Sequence, residues 1–152
     1  MKWLTTDIDL YLQSKEYVDT ALIPLIPIGF GDQMKNIVLQ GEFITTLSLE
    51  VERQFKGRLF LMPSFTYWKA DSIEGEFERI QTLKKQLLNQ GMKHVLYMTS
   101  DADWKQYENE LGSSLLWLPA VPLEHVENKY KQKIVTDQVQ QVVPQILNAW
   151  RN

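Results

Sequence analysis

Three places in the chain gather residues able to do chemistry. Gly29-Phe30-Gly31-Asp32 follows an apolar run and precedes a helical pattern, where a phosphate-binding turn would lie. The dinucleotide fingerprint needs glycine where Met34 stands, and the G-K-[ST] of a P-loop is absent. Asp32 would also repel a phosphate, so the segment reads as a turn whose aspartate caps the next helix. Ser100-Asp101-Ala102-Asp103-Trp104 follows a later apolar run. Two carboxylates there could hold Mg²⁺ or act as acid and base, but Ser100 with Asp103 three residues on also suits a simple helix start. Phe65-Thr66-Tyr67-Trp68-Lys69 reads as an aromatic loop. Aromatic rings at a concave mouth stack planar ligands or anchor partners; buried, they only seal the end of a sheet.

Other chemistries lack their residues. The chain has no cysteine, which removes disulfides, thiolate metal sites and cysteine nucleophiles. His94 and His125 are the two histidines, far apart in sequence. His125-Val126-Glu127 imitates the H-x-E of zinc deaminases without their paired cysteines. A triad of Ser64, His125 and Asp101 has no G-x-S-x-G elbow around its serine. The sequence therefore predicts no catalytic residue, no metal site and no cofactor.

The elements that must position these residues follow from periodicity. Thr6 precedes a helical pattern and is placed to cap it. Ala21–Ile28, Arg58–Met62, His94–Met98 and Leu115–Leu118 are apolar on both faces, as buried parallel strands are. Pro24 and Pro27 must interrupt the ladder of the first. Met34 to Phe55 reads as a long helix, weakened by Gly41 and ended by Gly57. Asp71 with Glu74 suggests a capping box for a helix striped by Ile73, Phe77, Ile80, Leu83 and Leu87, which Gly91 stops. Ser100 should cap a short helix ending at Gly112. Residues 124–135 are ambiguous, with a short helix favoured over a strand. Thr136-Asp137 should cap a last helix, kinked or broken at Pro144.

Strands alternating with helices predict one α/β domain over 1–152, a three-layer sandwich around a four-stranded, mainly parallel sheet. Its order should be flavodoxin-like, 2-1-3-4, or Rossmann-like, 3-2-1-4. Hydrophobic residues make up 44% and charged residues 23%, the balance of a folded globular chain. A net charge of −3 argues against a nucleic-acid partner. The first residues lack the apolar segment of a signal peptide, and Ala21 to Phe30 is too short to cross a bilayer. A cytoplasmic protein without membrane insertion is expected.

Tyr17 to Pro27, Phe55 to Pro63 and Trp117-Leu118-Pro119, with Thr99-Ser100-Asp101 and Pro122-Leu123-Glu124-His125, resemble the YpiF-like family of Bacillus-type bacteria. The resemblance runs over nearly the whole chain. It implies a small cytosolic protein of Firmicutes and, since the family is a domain of unknown function, it carries over no catalytic residues. The residues themselves favour a non-enzymatic interaction or accessory protein. The alternative is a small-molecule-binding module using the mouth at the carboxyl ends of the strands. Either way the surface should comprise Phe30, Asp32, Ser64, Tyr67, Trp68, Ser100, Asp101 and Trp104. The aspartates favour a protein partner with a basic segment, or a neutral or cationic small planar ligand.

Overall fold

Each apolar run becomes a strand because helices cover both of its faces. The computed structural model describes residues 1–151. In chain order the elements are α1 (Thr5–Gln13), β1 (Thr20–Ile28), α2 (Met34–Gln54), β2 (Leu59–Leu61), β3 (Phe65–Trp68), α3 (Glu74–Asn89) and β4 (His94–Thr99). A 3₁₀ turn (Ala102–Tyr107), α4 (Glu108–Leu111), β5 (Leu115–Trp117) and α5 (Asn128–Arg151) follow. The sheet order is β2-β1-β4-β5, and β3 also pairs with β1. Every pairing is parallel. Counting β2 and β3 as one edge, this is the flavodoxin-like order of the two alternatives. Side chains alternate across the sheet. Leu22, Leu96 and Leu116 meet α2 and α5 through Phe43, Leu47, Val139 and Val142, while Ile23, Val95 and Tyr97 meet Ile73, Ile80 and Trp104.

The fifth strand is the main addition to the sequence reading, and the prolines explain it. Leu22 pairs with Leu61, and Ile26 with Thr66. Four steps along β1 thus face five along its neighbour, so Met62-Pro63-Ser64 contains a one-residue bulge. The bond from Met62 N to Leu22 O, 2.9 Å, shows that even-numbered residues of β1 turn their backbone groups toward this edge. Pro24 therefore lacks its N–H opposite the bulge. Pro27 faces the other way, past the last β4 pairing at Pro24 and Met98. There the Thr99 hydroxyl donates to Leu25 O at 3.1 Å in place of a ladder bond. The interruption that the prolines demand is thus divided between two ends of the sheet.

Several expected caps are different residues. No side chain caps α1 from Thr6; Leu4 is the N-cap, and Asp7 reaches back to accept from Lys2 N at 2.8 Å. Asp32 caps nothing, because α2 starts from Gln33 and the first turn closes through Met34 N to Gly31 O. Gly31 has φ +91°, a turn only glycine makes cheaply. Ser72, not Asp71, accepts from Glu74 N, at 3.3 Å. Asp101, not Ser100, caps the 3₁₀ turn through Asp103 N. Phe55, before Gly57, is the C-cap of α2. Gly41 has a packing reason: a Cβ there would meet Ile26 Cγ2 at 3.0 Å, so α2 presses on β1 at this residue. The last helix starts at Asn128 and runs unbroken past Pro144. Buried Val139 and Val142 before the proline, and Ile146 and Ala149 after it, hold both halves on one core face.

Candidate functional site

At the carboxyl end of the sheet β3, the turn after β1 and the 3₁₀ turn after β4 meet. β3 alternates, so Phe65, Tyr67 and then Lys69 point to one side, and Thr66 and Trp68 to the other. On the first side lies a closed polar network. The Tyr67 hydroxyl donates to Asp101 Oδ2 at 2.6 Å and accepts from Trp104 Nε1 at 2.8 Å. Lys69 Nζ donates to Asp101 Oδ1 at 2.5 Å and to Asp103 Oδ2 at 2.8 Å. Asp101 Oδ1 also accepts from Asp103 N, and its own N–H donates to the Thr99 hydroxyl. The rings of Tyr67 and Trp104 meet edge to face, centroids 5.5 Å apart. Tyr67, Asp101 and Trp104 are buried.

This network is a seal. Burial pushes the Tyr67 hydroxyl pKa far up, and the Asp101 carboxylate adds to the rise. Burial alone would lower the Lys69 ammonium, but its bonds to Asp101 and Asp103 outweigh that and raise it. The ammonium sits between the two carboxylates, in the place a divalent cation would take. Asp101 is fully engaged, and His125 lies exposed beside Glu124. The Ser64–His125–Asp101 triad is not assembled.

The other side of β3 is open. Phe30 and Trp68 stack with centroids 5.8 Å apart and planes at 20°. They stay 68% and 59% exposed, which is unusual for rings of this size. Ile28, the register partner of Trp68, is exposed, as are Met34 and Val38 on the first turns of α2. Ile28, Phe30, Met34 and Val38, with Gly41 and Glu42, line a shallow apolar depression of about 270 Å³, and Trp68 stacks on Phe30 beside it. Such a patch, in contact across three elements, is the feature expected of a docking surface.

The eight residues expected at the mouth therefore divide. Phe30, Asp32, Ser64 and Trp68 are exposed, whereas Tyr67, Ser100, Asp101 and Trp104 are buried. The Ser100 hydroxyl is buried without a hydrogen-bond partner, and nothing in the structure explains it. Sequence reasoning missed Lys69, which closes the network, and the aliphatic half of the patch, Ile28, Met34 and Val38. The signal for Lys69 was available. Phe-Thr-Tyr-Trp is strongly strand-forming, and as a strand it puts residues 67 and 69 on one face.

A second concavity of about 620 Å³ lies between α2 and the segment before α5, lined by Val38, Phe43, Val121, Leu123 and Lys131 among others. Lys35 and Glu124 meet across its rim at 3.5 Å. Among the described residues no helix is long and apolar enough to cross a membrane.

The family model described as a protein of unknown function, DUF2487, matches residues 9–150. The uncharacterized protein YpiF of Bacillus subtilis (strain 168) is 38% identical over 150 residues, spanning 99% of this chain and 98% of its own length. No solved structure matches the chain significantly.

Proposed function

This chain belongs to the DUF2487 family, and we propose that it acts as a non-enzymatic interaction protein docking a partner on the Phe30–Trp68 face. The observation that carries this reading is the exposed stack, continuous with Ile28, Met34 and Val38. With Phe30 68% and Trp68 59% exposed, each ring forgoes more than half of the roughly 1.5–3 kcal/mol that full burial of a large apolar side chain gives. A partner surface that covers them recovers it. The polar residues beneath support the same reading, because each carboxylate and hydroxyl of the Tyr67–Asp101–Lys69 network is engaged within the protein. They serve by holding β3 and the turn after β4 rigid under the patch.

The test pairs two variants in the native host. Phe30→Ser with Trp68→Ser alters the patch, and Trp3→Ser with Leu4→Ser alters exposed apolar residues near the start of the chain. Tagged complexes are compared by size and composition. The reading requires a defined complex that disappears with the first pair and persists with the second. The reverse outcome would move the interface away from the mouth.

A second reading has one observation in its favour. The 620 Å³ concavity falls in the volume range of small-molecule sites. Its apolar floor and its rim of Lys35, Lys131, Glu42 and Glu124 suit an amphipathic ligand of no net charge. Thermal stabilisation by such a compound, abolished by Val121→Trp and not by the Phe30 and Trp68 changes, would favour it.

A further inference from the structure

The open face adjoins an open strand edge. The bond from Lys69 N to Ile28 O, 2.8 Å, fixes the direction of the β3 backbone. With Ile28 paired to Trp68, residues 65, 67 and 69 turn their N–H and C=O toward β1, and Thr66 and Trp68 turn theirs outward. Among the described residues no strand pairs with that outer edge.

The same edge is already covered one segment earlier. In β2 the outward residues are 59 and 61. Leu61 N donates to Met1 O at 2.7 Å, the Met1 ammonium donates to Leu59 O at 2.7 Å, and Lys2 forms a parallel bridge with Leu61. The edge thus takes an added extended segment along its first half, and the bulge at Pro63 ends that cover. Edge strands are usually guarded by a lysine, a proline or a bulge. Here the proline and the bulge lie before β3, and Lys69 is drawn inward to Asp101 and Asp103. Phe65–Trp68 is left unguarded.

We infer that β3 receives an extended, basic segment of a partner protein as an added strand, with apolar side chains of that segment resting on the Phe30–Trp68 stack. This inference rests on the docking reading above and specifies its partner. Backbone bonds to Thr66 and Trp68 give the added strand its register, and the stack gives it an apolar anchor. Charge selects the partner. Asp32 lies two residues past Phe30, Asp71 three past Trp68, and Glu42 lines the depression beside Phe30. Among the described residues none of the three has an ion-pair partner. Lys35, the cation in the first turn of α2, leans to Glu124. A second copy of this chain, paired edge to edge, would bring the same acidic residues together, so a basic partner fits better.

The test uses three synthetic hexapeptides: acetylated Arg-Val-Arg-Val-Arg-Val amide, its counterpart with glutamate for arginine, and the arginine peptide N-methylated at alternate residues. Amide exchange of the full chain is followed by NMR. The basic peptide is expected to slow exchange of the Thr66 and Trp68 amides at least tenfold, while the acidic and methylated peptides leave them unprotected. Thr66→Pro removes one outward N–H, a change an edge strand tolerates, and should abolish protection at Trp68 while Phe30 and Trp68 remain. Equal binding of the methylated peptide would overturn strand addition and leave the docking face standing. Protection that survives Phe30→Ser with Trp68→Ser would overturn the docking face while the edge still accepts a strand. Equal protection by the acidic peptide, or none by any peptide at millimolar concentration, would overturn the inference. So would concentration-dependent protection without peptide, matched by a dimer in analytical ultracentrifugation. Should Thr66→Pro fail to fold, the methylated peptide still decides the question on the unaltered protein.

Discussion

Tyr67 and Trp68 are neighbours in sequence and opposites in fate. Tyr67 turns inward, gives its hydroxyl to Asp101 and takes an indole N–H from Trp104. Trp68 turns outward and stacks on Phe30 in water. The pleat of one short strand thus separates a structural half of the mouth from an available half. Residue type does not distinguish them, since both halves are aromatic and acidic. Position relative to the strand does.

The comparison breaks most readily at Trp104. Trp104→Ala should cost about 4 kcal/mol in a denaturant melt, from the lost ring volume and the loss of the indole N–H that the buried Tyr67 oxygen accepts. Trp68→Ala should cost under about 1 kcal/mol, because its ring covers little that is buried. Equal losses would erase the distinction between the halves.

Asp101→Ala should come next, at about 3 kcal/mol, since it strips a partner from both Tyr67 and Lys69. The figure sits at the low end for a broken buried pair because Lys69 is 30% exposed and keeps Asp103. Asp103→Ala, at an exposed carboxylate, should cost far less in the same melt.

How far the sequence foretold this division depends on the element. The four buried strands could be read from apolar runs, because a doubly covered parallel strand has little freedom of composition. Crossover rules left two orders open, and the pairing of β1 with β4 selects between them. The bulge could not be read from a pattern of apolar residues. Met62-Pro63-Ser64 looks like a strand ending, and only the register with β1 shows the edge resuming one residue late. Taking Phe65–Lys69 as a loop removed the alternation that separates Tyr67 from Trp68. Caps failed for a related reason. Asp32, Asp71 and Ser100 each have a polar neighbour able to start the same helix, and the local backbone path decides among them. Of the candidate site, the sequence names residues at the carboxyl end of the sheet but not which of them turn inward and which outward.

A smaller effect sharpens the contrast by pH. Tyr67 and Tyr97 both ionise well above the ordinary tyrosine value, chiefly from burial. Lys69 is also raised, its carboxylate partners outweighing burial. The folded state therefore holds these protons more tightly than the unfolded chain does. Their stabilisation is intact below the ordinary values of 10.0 and 10.5 and is lost as pH climbs through the raised ones. Among six tyrosines, Tyr67 and Tyr97 should ionise only with alkaline unfolding, followed by absorbance at 295 nm. Titration of all six before loss of circular dichroism would contradict the sealed network.

The most direct measurement labels the five tryptophans with 5-fluorotryptophan and exposes the folded protein to a soluble paramagnetic agent. Single Trp→Phe variants assign the fluorine resonances. Strong relaxation of Trp68 and little of Trp104 is expected, because one residue is 59% exposed and the other 0%. Comparable relaxation of the two would mean that the mouth is not divided, and the Phe30–Trp68 face would lose its standing as the open half.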